Sequence, residues 1–110
     1  MDGLMILVRS GPEETGRVEE ALRLAAAMLG FDELITIVFI DDGVRCLYPQ
    51  AFSDPILHEY LQAAADLTGV HAISDAKDSG GDIDPALGVN PISMDELVTL
   101  MSDNLAVASF

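Results

Sequence analysis

Apolar and polar positions fall in blocks along this chain. Leu4 to Val8 is a continuous apolar run without alternation, the pattern of a strand covered on both faces. The stretch RSGPEETGR that follows is rich in glycine, proline and acid and reads as a loop. From Arg17 to Leu29 the apolar positions take helical spacing. Val18, Leu22, Ala25 and Leu29 make one stripe, widened by Ala21 and Met28, while Glu19 and Arg23 form an i,i+4 pair on the polar side. Gly30 is placed to stop this helix as a C′ glycine.

Leu34 to Ile40 predicts a second strand, β-branched at Ile35, Thr36, Ile37, Val38 and Ile40. Asp41 to Phe52 reads as irregular. Ser53 is a candidate N-cap, with Pro55 in the first turn of a helix that runs to Leu67. Ile56, Leu57, Tyr60, Leu61, Ala64 and Leu67 form its expected buried stripe, and Gly69 ends it. Val70 to Ser74 predicts a short third strand, and DAKDSGGDIDPALG a polar loop with room for one helical turn. Val89 opens a brief fourth strand before Pro91. Ser93 and Glu96 stand at the Ncap and N3 positions of a capping box, opening a helix to Ser102. Leu105 to Ser109 closes the chain as a last strand.

Strands that are apolar on both faces and alternate with helices predict an α/β fold. The expected fold is a flavodoxin-like single domain over residues 1–110, with a mostly parallel central sheet of about five strands and helices on both faces. By analogy with such folds the expected strand order is 2-1-3-4-5. Right-handed crossovers bring the loops that follow strands to one edge of the sheet, here Arg9–Gly16, Asp41–Gln50 and Asp75–Gly81. Ligands and chemistry belong at that edge.

Composition narrows the partners. A chain of 110 residues, half of them apolar, has material for a full core without metals or disulfides. Its net charge of −14 and its total of five Lys and Arg argue against binding nucleic acid or an anionic membrane, both of which need clustered basic residues. The N-terminus carries neither a signal-peptide pattern nor a span-length apolar run, which predicts a cytoplasmic protein. A single cysteine cannot form an internal disulfide, and no Cys/His pattern at ligand spacing is present. Neither a metal nor a cofactor is expected.

Several constellations lie at the predicted edge. SGPEETG has the position of a phosphate loop but lacks its lysine, and Glu13 and Glu14 oppose an anion; it reads as a connecting loop or a subunit contact. Asp41 and Asp42 could bind Mg²⁺ or do acid–base work, or simply form a solvated turn. A phospho-receiver arrangement fails, because the acidic pair follows the second strand and not the first. His58 and His71 have no second ligand at metal spacing and read as structural or surface residues. Cys46 lies between two opposite influences: Asp41 and Asp42 raise a thiol pKa, whereas Arg45 lowers it. It is either a working thiol or a small packing residue.

VRSGPEETGRVEEALRLAAAM after the first strand, IVFIDDGVRCL at the second, and SMDELVTLMSDNLAVASF at the end together resemble the DsrE/DsrF/DsrH and TusB/TusC/TusD sulfur-relay proteins. The DsrF/TusC branch is most similar, through the Asp42-Gly43-Val44 turn. The resemblance implies a flavodoxin-like sheet, assembly into homo-oligomers (trimers or hexamers), protein partners of a sulfur relay, and cytoplasmic sulfur trafficking. In active members a cysteine in the loop after the third or fourth strand carries a persulfide. Here that stretch is HAISDAKDSGG, with Ser74 and Asp75 at the expected position. The resemblance therefore implies a partner-binding or non-catalytic subunit, or persulfide carriage on Cys46 in a different loop. An oligomeric binding or scaffold module without sulfur chemistry is the alternative, and a small hydrolase or phosphotransfer enzyme ranks below both for want of a nucleophile–base pair. The candidate site residues are Cys46 for chemistry and Arg9, Ser10, Asp41, Asp42, Gly43, Arg45, Ser74 and Asp75 for the binding edge. The apolar stretch Tyr48, Pro49, Ala51, Phe52 and Ile56 is the expected contact between subunits.

Overall fold

The computed structural model describes residues 3–29, 34–49, 51–52, 54–73, 83–104 and 106–110. In chain order the elements are β1 (Gly3–Val8), α1 (Thr15–Leu29), β2 (Leu34–Phe39), a 3-10 helix (Asp41–Leu47), α2 (Pro55–Leu67), β3 (Val70–Ile73), a short 3-10 turn (Pro85–Leu87), β4 (Asn90–Ile92), α3 (Met94–Asp103) and β5 (Ala106–Ser109). The expected alternation of strands and helices is therefore present, and all four strand pairings are parallel. Gly30, Ser53 and the polar loop at 74–82 lie outside the described residues.

The strand order is β4-β3-β2-β1-β5, which corrects the expected 2-1-3-4-5. β1 pairs with β2 along its whole length, from Gly3 opposite Leu34 to Val8 opposite Phe39, and takes β5 on its other side. A strand buried on both faces has the same apolar signature wherever it sits in a sheet, so its neighbours are not encoded in its own residues. Stepping from β1 through β2 and β3 to β4 always moves the same way. Right-handed connections then place α1 and α2 on one face, and the return from β4 to β5 carries α3 across the other.

The core follows this division. Val18, Ala21, Leu22 and Ala25 of α1 and Leu61 and Ala64 of α2 pack on Ile6, Val8, Ile37, Phe39, Val70 and Ala72. On the opposite face Leu97 of α3 covers Met5, Leu7, Val38 and Ile92. One helix covers that face where two cover the other, and it leaves apolar surface uncovered. Met94, Val98 and Met101 of α3 and Val107 of β5 are all exposed.

Two helix expectations change. Asp54, not Ser53, caps α2, its carboxylate accepting the Ile56 N–H at 2.9 Å. The buried line on α2 is Leu57, Leu61 and Ala64, whereas Ile56 and Leu67 are 53% and 72% exposed. They flank that line on the outer part of the helix. The capping box of α3 is as expected: Ser93 Oγ accepts the Glu96 N–H at 3.1 Å, and Glu96 accepts the Ser93 N–H at 3.2 Å. Ser93→Ala is expected to lower stability by about 1 kcal/mol in a denaturant titration, the usual worth of such a cap.

Candidate functional site

β1 ends at Val8, and the chain turns through Arg9 and Ser10 into the loop before α1. This turn is tied to the end of β5: the Arg9 and Ser10 N–H groups both donate to the Phe110 carbonyl, at 2.8 and 3.1 Å, and the Phe110 N–H donates to the Leu7 carbonyl. β2 ends beside it, where the Ile40 N–H donates to the Val8 carbonyl at 3.0 Å. Asp41 then takes a left-handed conformation, φ 52°, which aspartate tolerates better than most residues, and starts the 3-10 helix. The sequence predicted irregular chain here; the segment instead closes into regular i,i+3 turns.

That helix explains the arrangement of the site. At three residues per turn, positions three apart share a side. Gly43 and Cys46 share the buried side, while Asp42 and Arg45 share the outer side and approach within 3.6 Å. Gly43 lies so close to β1 that a Cβ there would fall on the Val8 carbonyl oxygen. From the outer side Arg45 spans to the β1–α1 loop and donates two hydrogen bonds to Glu13, at 2.6 and 3.0 Å. The Arg45 hydrogen bond holds the Glu13 carboxyl below the usual carboxylate range, and the same bond raises the guanidinium. A Cβ at Gly11 would stand 2.6 Å from the ends of both side chains of this clasp, so a larger residue there would displace the Arg45–Glu13 pair.

Cys46 is 1% exposed and belongs to the core on the α1/α2 face. Its Sγ lies 3.4 Å from the Ser10 carbonyl, as donor. Burial pushes the thiol up to about 12, and the nearby Arg45 only partly opposes this. A thiolate is the reactive form of cysteine, and this environment suppresses it. Of the two roles open to Cys46 in the sequence, the geometry favours packing.

The other predicted edge residues divide. Arg9, Ser10, Asp41 and Asp42 come together along a cleft of about 350 Å³ at the C-terminal ends of β1, β2 and β5. Gly43 serves the close approach to β1, and Arg45 the clasp to Glu13. Ser74 and Asp75 lie outside the described residues. Three lining residues escaped the sequence reading, Arg17, Ser109 and Phe110. Arg17 stands in the first turn of a helix that starts at this edge, and Ser109 and Phe110 stand at the end of a parallel strand. All three positions are readable once the edge is known, but none carries a motif. Arg9 pairs with Asp41 at 3.5 Å across the cleft mouth.

The stretch expected to join subunits folds back in part. Phe52 packs against the domain's own core, Tyr48 and Ala51 are half-buried, and Ile56 is exposed. Among the described residues no helix is long and apolar enough to cross a membrane, and no group of three or more His, Cys, Asp or Glu is arranged to hold a metal ion.

Comparison with known proteins places this geometry. The model of the DsrE/DsrF-like family matches residues 2–110. No curated protein matches the chain. Among solved structures, the YchN protein of E. coli superposes with a TM-score of 0.75 over 100% of both chains at 19% identity, a likeness of fold.

Proposed function

Because the chain belongs to the DsrE/DsrF-like family, a family of sulfur relay, we propose that it is a non-catalytic, partner-binding subunit of a cytoplasmic relay, of the DsrF/TusC kind. The observation that carries this reading is the state of its single cysteine: Cys46 is buried in the core with its thiol raised to about 12. A persulfide carrier must expose its sulfur to a donor and an acceptor in turn, and this thiol meets neither. What the edge offers a partner is charged surface: Asp42, the Arg45–Glu13 clasp and the Arg9–Asp41 pair.

The test is native and intact-mass spectrometry after mixing the chain with a persulfide-loaded carrier protein. The expected result is a complex in which this chain keeps its own mass. A reducible gain of about 32 Da, one sulfur, that Cys46→Ser abolishes would make Cys46 a carrier and overturn the non-catalytic reading. Absence of any complex would favour a scaffold module unconnected with sulfur, a reading that burial of Cys46 also supports.

The same proposal includes assembly into a homo-trimer or homo-hexamer. Its support is the uncovered apolar stripe of α3, where Met94, Val98 and Met101 recur at i, i+4 and i+7. A stripe at that spacing on one helix face is what a second helix packs against. Light scattering on the eluting protein is expected to give a multiple of 11.7 kDa, and Val98→Glu to reduce it to the single-chain mass. A parent protein that already elutes as one chain would remove this part of the proposal.

A further inference from the structure

We infer that the groove between α1 and α2 is a docking site for a basic amphipathic helix of a partner protein. The groove lies on the sheet face opposite α3, so the inference needs neither the α3 contact between copies nor the relay reading.

α2 carries two apolar lines. Leu57, Leu61 and Ala64 are buried. Beside them Ile56, Tyr60, Ala63 and Leu67 recur at i, i+4, i+7 and i+11, the spacing of a second stripe on the same helix. Ile56 and Leu67 are among the exposed large apolar residues of the chain. Tyr60, Ala63, Ala64 and Leu67 line a groove whose other side is Leu22 and Ala26 of α1, and its volume is about 110 Å³. Small-molecule sites begin at roughly 300 Å³, so this groove takes the end of an apolar side chain and not a whole ligand. Ala26 and Ala63 are both exposed, and side chains this small allow a third helix to pack close. An apolar helix face laid into such a groove is a recurring mode of peptide recognition.

Charge selects the occupant. On α1 the groove is flanked by Glu19 and Arg23, which pair with each other at 3.4 Å and cancel. On α2 it is flanked by Glu59 and Asp66, each one turn from Ala63 and both exposed. Neither forms an ion pair among the described residues, and Asp66 accepts a hydrogen bond from the neutral Gln62 amide at 3.1 Å. The two carboxylates are separated by two helical turns, about 10 Å along the axis. The rim therefore adds two unmatched negative charges to a chain whose net charge is −14. A helix with basic residues beside its apolar line is complementary to both the groove and its rim, and the net charge steers it there. A second copy offers less, because α3 carries Asp95, Glu96 and Asp103 and no Lys or Arg.

The experiment is an amide chemical-shift titration of the chain with three synthetic helical peptides of about 18 residues. The first has leucines at i, i+4, i+7 and i+11 flanked by lysines. The second has glutamates in place of those lysines, and the third keeps the lysines but has serines in place of the leucines. The expected result is saturable shifts at Ala26, Ala63 and Leu67 with the first peptide, and binding at least about tenfold weaker for each of the other two. Glu59→Gln combined with Asp66→Asn, and separately Ala63→Arg, are expected to weaken the first peptide by a similar factor while melting as the parent does. If the serine peptide binds as tightly as the first, the attraction is that of any cation for an acidic chain and the proposal is overturned. Equal binding of the glutamate peptide, shifts confined to α3, or no shifts at all would overturn it as well. Shifts at these amides on dilution of the chain alone would replace the partner helix with a second copy. None of these outcomes depends on whether a persulfide-loaded carrier binds the chain.

Discussion

Gly43→Ala is expected to cost about 3 kcal/mol of folding stability, and to leave the chain largely unfolded if its total stability is modest. A methyl at this position would fall on the Val8 carbonyl oxygen, with the Val8 carbonyl carbon directly behind it. That oxygen is held in place, because it accepts the Ile40 N–H at 3.0 Å as β1 and β2 finish their pairing. The neighbour is backbone and not the end of a flexible side chain, so relief requires the 3-10 helix to move off the sheet. Such a shift would lift Cys46 and Leu47 out of the core and carry Arg45 away from Glu13. Denaturant unfolding with circular dichroism measures the loss. A variant within 0.5 kcal/mol of the parent, roughly the range of a neutral surface change, would show that the turn does not need this approach.

Cys46 is expected to react with an alkylating reagent at pH 8 roughly a thousandfold more slowly in the folded chain than in denaturant. The factor follows from a thiol raised to about 12 from its ordinary value of 9.0, before steric protection of a side chain 1% exposed is counted. The same shift has a consequence for stability. Between pH 9 and 12 the unfolded chain has released the thiol proton while the folded chain retains it. The unfolded state binds fewer protons there, so stability falls as pH rises, by up to about 1.4 kcal/mol per pH unit from this group. Below pH 9 the thiol is neutral in both states and the contribution is flat. Subtracting the pH profile of Cys46→Ala isolates the effect from other titrating groups. Identical slopes for parent and variant, or rapid native alkylation, would mean that the thiol reaches solvent and would reopen its chemistry.

The apolar blocks and their periods were enough to establish an α/β chain and to locate most of its elements, because burial of the inner strands demands continuous apolar residues and helix packing demands a stripe, although the edge strands β4 and β5 are largely exposed. Ser93 and Glu96 announced their helix start for an equally local reason, since a capping box is satisfied within four residues. Family membership was legible as well, from VRSGPEETGRVEEALRLAAAM, IVFIDDGVRCL and SMDELVTLMSDNLAVASF taken together. The identity of β1's neighbours was not, because pairing partners are chosen by the whole sheet and leave no mark on one strand. Nor was the environment of Cys46: flanking charges in the sequence left its ionisation balanced, whereas the 3-10 helix sets Cys46 inward with Gly43 and Arg45 outward, and burial raises the thiol. The cleft joins Arg9 and Ser10 after β1, Arg17 on α1, Asp42 after β2 and Phe110 after β5. Local sequence determines what each of these residues can donate or accept, but only the parallel order β2-β1-β5 brings their strand ends side by side, and that order is a property of packing between segments far apart in the chain.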